Sequence, residues 1–142
     1  MNSVISKILC VDHDPATLEW IKAILDASYL TADVIAVTSA REAIVLLNQD
    51  DYDLCILEYA LTDATGPQLC SLVRRLKWDV PIMIFTAMDR EIDRQHAISA
   101  GADDYLRKPQ DLHKFVESTA RLLKKSRSGD RYDPLSYALR AA

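Results

Sequence analysis

A chain of 142 residues that is 49% hydrophobic and 27% charged suits one globular domain whose core is large enough to fold unaided; a second full domain does not fit. Its 21 acidic and 17 basic residues give a net charge of -4 with no long block of either sign, so no nucleic-acid-binding surface is indicated. No window approaches the roughly 20 apolar residues that cross a bilayer, and the apolar run near the N-terminus is too short for a signal peptide, so a cytoplasmic protein without membrane contact, or the cytoplasmic part of a larger one, is expected.

The first short apolar run covers residues 8–11, and a helical stripe follows through Leu18, Ile21 and Leu25. A second run at 34–37 leads into the stripe Ala40, Ala43, Ile44 and Leu47. A third, at 54–57, leads into Leu69, Leu72, Val73 and Leu76. After the fourth run at 82–85, residues 90–100 form a more polar helix with a thin stripe through Ile92 and Ala97, closed by Gly101. A weaker fifth run, Tyr105-Leu106, precedes a strong helical pattern at Leu112, Phe115, Val116, Leu122 and Leu123, with Asp111 near its start.

Runs this short and unbroken are those of strands buried on both faces, and their alternation with helices predicts an α/β fold. The expected architecture is a flavodoxin-like, doubly wound sheet of five parallel strands in the order 2-1-3-4-5, with five helices. Residues 5–125 form this domain. The segment 126–142, SRSGDRYDPLSYALRAA, is broken by Gly129 and Pro134 and reads as a linker or tail, or the start of a further domain. Cys10, Cys55 and Cys70 lack CxxC spacing and lie in apolar stretches, which marks them as buried thiols rather than metal or redox groups.

In doubly wound sheets the site lies beyond the carboxyl ends of the strands, at the switch in strand order. That rule selects Asp12, His13 and Asp14 after the first strand, Glu58 after the third, Thr86 after the fourth, and Lys108 with Pro109 after the fifth. Carboxylates can hold a divalent cation through oxygen, while a hydroxyl and a lysine can take phosphoryl oxygens. Singly, each is an ordinary loop residue; convergence of several gives the pocket its meaning.

These residues carry a resemblance. KILCVDHDP resembles the first strand and acidic turn of response-regulator receiver domains of two-component signalling. YDLCILEYALTDATG resembles their third strand and phosphoacceptor loop, with Gly66 eight residues after Glu58, and FTA and GADDYLRKP match the ends of the fourth and fifth strands. The similarity spans residues 5 to 125. It implies that Asp12 belongs to the acidic turn, Thr86 is the switch hydroxyl, Tyr105 the switch aromatic and Lys108 the pocket lysine, with a cis peptide bond before Pro109.

Three positions depart from the pattern. Glu58 stands where the phosphorylatable aspartate belongs, His13 replaces the second acid of the turn, and Thr62 replaces a loop proline. The extra methylene of Glu58 displaces the nucleophilic oxygen by about 1.5 Å, and in-line phosphoryl transfer loses on the order of a hundredfold in rate from a 1 Å misplacement. Mg²⁺ prefers near-octahedral oxygen ligands, which neutral imidazole does not supply. No resident cofactor is therefore expected, Mg²⁺ at most weakly, with Asp12, Asp14 and Glu58 as weak metal candidates.

The leading reading is an atypical, pseudo-receiver domain in phosphorelay signalling, not an enzyme, acting by contact with a histidine kinase, an effector domain or another signalling protein. The face formed by the fourth helix, fifth strand and fifth helix would carry that contact, and a homodimer through it is a further option. Glu58 would either mimic a phosphate by engaging Lys108 and Thr86, or simply pair with Lys108. The alternative is a regulated receiver phosphorylated on Glu58 or Asp63. A small metal-assisted phosphoryl enzyme is a third reading, disfavoured because no glycine-rich phosphate loop is present. His13 reads as a passive replacement rather than a pH sensor or metal ligand, and His96 and His113 as surface residues.

Overall fold

The computed structural model describes residues 5–77 and 79–127. Strands and helices alternate strictly: β1 (Ser6–Val11), α1 (Pro15–Asp26), β2 (Ala32–Val37), α2 (Ala40–Gln49), β3 (Leu54–Leu57), α3 (Gly66–Leu76), β4 (Ile82–Thr86), α4 (Glu91–Ser99), β5 (Asp104–Arg107) and α5 (Phe115–Arg127). A 3-10 turn at Leu112–Lys114 leads into α5. The strands pair in parallel in the order β2-β1-β3-β4-β5, as the alternation predicts. The expected linker or tail lies, from residue 128 onward, outside the described residues. Among the described residues no helix is long and apolar enough to cross a membrane.

The helix starts are written locally. The Asp14 carboxylate accepts a hydrogen bond from the Ala16 amide ahead of α1, and Pro15 takes the first helical position, where no amide partner is needed. Ser39 caps α2 at the amide of Glu42. Thr65 and Gln68 satisfy each other's backbone amides ahead of α3, and Arg74 and Arg75 sit in its last turn, where cations suit the helix dipole.

Alternate side chains of the sheet feed two cores. Leu9, Val11, Cys55, Leu57, Ile82 and Ile84 pack with Ala43 and Leu47 of α2, Leu69 and Val73 of α3 and Ala97 of α4. Ile8, Cys10, Leu54, Ile56, Met83 and Phe85 pack with Leu18, Ile21 and Leu25 of α1 and with Phe115, Leu122 and Leu123 of α5. All three cysteines are buried and free, and burial pushes the Cys70 thiol up to about 12.

Four expected core positions are exposed instead. The inward arc of α3 is Leu69, Cys70 and Val73, which leaves Leu72 and Leu76 about 40% exposed to one side. In α4 the buried pair is Asp93 and Ala97, and Ile92 faces outward; Asp93 tolerates burial because Arg90 forks onto both its oxygens at 3.0 and 2.9 Å. Leu112 falls in the 3-10 turn and is 36% exposed.

Gly101 ends α4 with φ of +109°, which L side chains rarely adopt. Its carbonyl accepts from the Arg74 guanidinium at 3.1 and 2.6 Å, and the same arginine reaches Asp103 at 2.9 Å. The α3 end, α4 end and β5 start are thereby tied together.

Candidate functional site

Strand register builds the site. Val11 pairs with Leu57, Leu57 with Ile84 and Thr86 with Arg107, so the residues that follow these strand ends converge at one edge of the sheet. The amide of Glu58 donates to the Val11 carbonyl at 2.9 Å, and the amide of Lys108 to the Thr86 carbonyl at 2.7 Å. The Lys108-Pro109 bond is cis, as the resemblance implies. Gly66 is required by packing here: a Cβ would lie 2.8 Å from the Glu58 carbonyl oxygen and 2.8 Å from the Tyr59 Cα.

The centre is an ion triad. Lys108 Nζ lies 2.9 Å from Asp12 Oδ2 and 3.2 Å from Glu58 Oε1, with side-chain exposures of 20% for the lysine, 4% for Asp12 and 7% for Glu58. The ammonium also sits 4.9 Å from the centre of the Phe85 ring. The second oxygen of Glu58 accepts from the backbone amides of Tyr59 and Ala60, the latter at 3.2 Å. Asp12 Oδ1 accepts from the Asp14 amide at 2.9 Å. Both carboxylates are thus satisfied from within the protein.

The other candidates separate. The Asp14 carboxylate is spent on the α1 N-terminus and does not join the triad. His13 is exposed, with Nδ1 3.8 Å from Asp12 Oδ1. Thr86 is buried and its hydroxyl accepts from the Met88 amide at 3.2 Å; among the contacts of Glu58, Lys108 is present and Thr86 is not. The Tyr105 hydroxyl donates to the Met88 carbonyl at 2.6 Å, so Met88 of the β4–α4 loop is held at its amide by Thr86 and at its carbonyl by Tyr105. Burial, then the nearby Asp93 charge, push the Tyr105 phenol well above its ordinary range.

Asp63 is engaged elsewhere. Its two oxygens accept from the amides of Ala40 and Arg41 at 3.0 Å each, at the N-terminus of α2, and these bonds lower its pKa. His96 is exposed as expected, yet its Nδ1 lies 3.3 Å from the Tyr59 hydroxyl, a link between the Glu58 loop and α4 that sequence spacing does not reveal.

As arranged, these residues do not fit Mg²⁺. Asp12 is shared between an ammonium and a backbone amide, Asp14 points into a helix cap, and His13 offers nitrogen instead of oxygen. Among the described residues no group of three or more His, Cys, Asp or Glu side chains is disposed to hold a metal ion. In this arrangement Lys108, Asp12 and Glu58 are bonded to one another and to loop amides.

Comparison with known proteins is consistent across sequence and structure. The family model described as the response regulator receiver domain matches residues 8–120. The transcriptional regulatory protein TrcR of Mycobacterium tuberculosis is 32% identical over 134 residues, which cover 94% of this chain and 51% of that protein. Response regulator MprA of Mycolicibacterium vanbaalenii is 32% identical over 124 residues, covering 87% and 53%. The chain spans about half the length of the curated relatives it matches. A putative response regulator from Chloroflexus aurantiacus superposes with a TM-score of 0.78 at 27% identity, covering 85% of this chain and 99% of that one. The receiver domain of a sensor histidine kinase from Pseudomonas aeruginosa, solved with a magnesium ion coordinated in its active site cleft, gives 0.75 at 25% identity, covering 85% and 99%.

Proposed function

This chain belongs to the receiver-domain family of response regulators, and from that premise we propose that it is an atypical, cytoplasmic member, a pseudo-receiver that signals by protein-protein contact without aspartyl phosphorylation. The supporting observation is Glu58 itself: at the position of the phosphoacceptor, its carboxylate binds Lys108 with one oxygen and two loop amides with the other. The groups that would receive a phosphoryl oxygen are already bonded, so the pocket is locked.

A lock differs from a phosphate mimic. A mimic would draw the Thr86 hydroxyl toward the carboxylate, whereas Thr86 is bonded to Met88. With Tyr105 held on the carbonyl of the same residue, the face of α4, β5 and α5 keeps one arrangement. In this reading residues 5–125, with α5 continuing to Arg127, are the contact module, and the rest of 126–142 is a linker or tail, or the start of a further domain. Partners are a histidine kinase, an effector domain or another signalling protein.

The test is a titration of the ¹⁵N-labelled chain with Mg²⁺ and beryllofluoride, a phosphoryl analogue, followed by amide resonances of α4 and β5. The native chain should show no shift, and a variant carrying Glu58→Asp with His13→Asp should respond. Saturable shifts in the native chain would refute the locked pocket.

A further inference from the structure

On the face of the sheet covered by α1 and α5, a cavity of about 180 Å³ opens beside the ion triad. Its lining is Thr17 and Trp20 of α1, Phe85 near the end of β4, Lys108 beyond β5 and Leu112 of the 3-10 turn. Two rings build its wall. Trp20 stacks on Phe85 with centroids 5.8 Å apart and planes 25° from parallel, and both rings rest on Phe115, at 5.2 and 4.9 Å. Phe85 is buried, Trp20 half-buried and Leu112 exposed, so apolar surface continues from the interior to the mouth, where Leu112 is the outer lip. One strong donor reaches this apolar space. The Lys108 ammonium carries three N–H groups; among the described residues Asp12 and Glu58 accept two of them, at 2.9 and 3.2 Å, and the group faces the Phe85 ring at 4.9 Å. A third hydrogen bond is therefore open to an occupant. Thr17 adds a hydroxyl whose contact with Asp14 Oδ2, at 3.5 Å, is longer than a good hydrogen bond.

Charge and size select the occupant. One ammonium stands against two carboxylates, so an anionic group would meet an excess of fixed negative charge, while a cationic group would meet the ammonium in the lining. A neutral oxygen acceptor avoids both. A cavity of about 150 Å³ lined by aliphatic and aromatic side chains holds benzene, so this one has room for a single ring with a short substituent. We propose that the cavity binds a small, neutral aromatic molecule, its ring against Trp20 and Phe85 and its carbonyl or hydroxyl oxygen accepting the third N–H of Lys108. A few convergent polar groups in an apolar pocket are what fix the orientation of such ligands. Because the occupant touches the lysine that holds Asp12 and Glu58, it gives the chain a chemical input at the triad. The inference goes beyond the locked-pocket reading, since it stands on the cavity and not on what Glu58 can accept.

The experiment titrates the full ¹⁵N-labelled chain with benzamide, a neutral ring bearing one carbonyl, and follows the Trp20 indole and the amides of Lys108 and Leu112. Three comparison compounds separate the contributions: benzoate is the anionic counterpart, cyclohexanecarboxamide lacks the aromatic ring, and N-acetylphenylalaninamide presents the aromatic side chain of a protein. Leu112→Ser removes the lip; Leu112 is exposed, so the fold should survive, and circular dichroism checks that it does. The expected result is saturable benzamide binding with Kd on the order of 0.1–1 mM, as suits so few non-hydrogen atoms. Benzoate and cyclohexanecarboxamide should bind about tenfold more weakly, and Leu112→Ser should weaken benzamide about fivefold. No saturable shift, equal or tighter binding of benzoate or of cyclohexanecarboxamide, or an affinity untouched by Leu112→Ser would overturn the proposal. So would shifts produced by N-acetylphenylalaninamide alone, which would make the cavity a seat for a partner's side chain. Neither Mg²⁺ nor beryllofluoride is present, so failure here leaves the locked pocket standing, and failure of that titration leaves this inference standing.

Discussion

Lys108→Met removes the cation of the triad and keeps most of its stem. It leaves two carboxylates, 4% and 7% exposed, facing each other without their ammonium. Breaking a buried ion pair by deleting one partner costs about 3–5 kcal/mol. The retained backbone amides, from Asp14 to Asp12 and from Tyr59 and Ala60 to Glu58, put the expected loss near the lower end, about 3 kcal/mol. For a domain of this size that lowers Tm by on the order of 10 °C. Differential scanning calorimetry of the two chains reads it directly, and Glu58→Gln added to Lys108→Met should restore part of the loss by removing one of the stranded charges. A Tm for Lys108→Met within a degree or two of the native value would refute the triad as the organising interaction of the site.

Other consequences can be measured in the same way. Thr119 is fully buried in α5 and its hydroxyl has no hydrogen-bond partner among the described residues, so Thr119→Val should stabilise the chain by about 0.5–1 kcal/mol in urea unfolding; a loss of stability would show that the hydroxyl is satisfied. Gly101→Ala places a Cβ at positive φ and 2.9 Å from Arg74 Nε, and should cost about 1–3 kcal/mol by the same assay. Arg107 holds the Asp111 carboxyl down to about 2 from the usual 3.8, so the stability this pairing contributes is fully present above about pH 4 and is lost as pH falls toward 2. The Tm gap between the native chain and Arg107→Gln should therefore be widest at neutral pH and narrow across that window; a gap independent of pH would contradict the pairing.

The sheet was legible because strands buried on both faces leave unbroken apolar runs, and the runs at 8–11, 54–57 and 82–85 fall within β1, β3 and β4. Strand starts carrying polar residues were less visible: β1 begins with Ser6 and Lys7 and β2 with Ala32 and Asp33, before their apolar runs. The helix stripes overstated the core where apolar residues flank the inward arc, as at Leu72, Leu76 and Ile92, because periodicity cannot tell a wide buried face from a narrow one with an exposed shoulder. Asp93 illustrates the opposite error, a charged residue buried because Arg90 folds over it. In the pocket, the convergence of Asp12, Glu58 and Lys108 follows from strand ends alone. What Asp14, Asp63 and Thr86 bond to does not, since each had to choose between the pocket and a nearby backbone amide, and each took the amide. The Tyr59–His96 contact joins residues 37 apart and needed the fold to appear.

The most direct test of the locked pocket is Mg²⁺-dependent incorporation of phosphate from acetyl phosphate, followed by mass spectrometry of the native chain, Glu58→Asp, and Glu58→Asp with His13→Asp. The account predicts that the native chain stays unmodified and that the double variant gains a phosphoryl group on the restored aspartate. A stable phosphoryl adduct on the native chain, at Glu58 or at Asp63, would contradict it and move the mechanism to the modified residue.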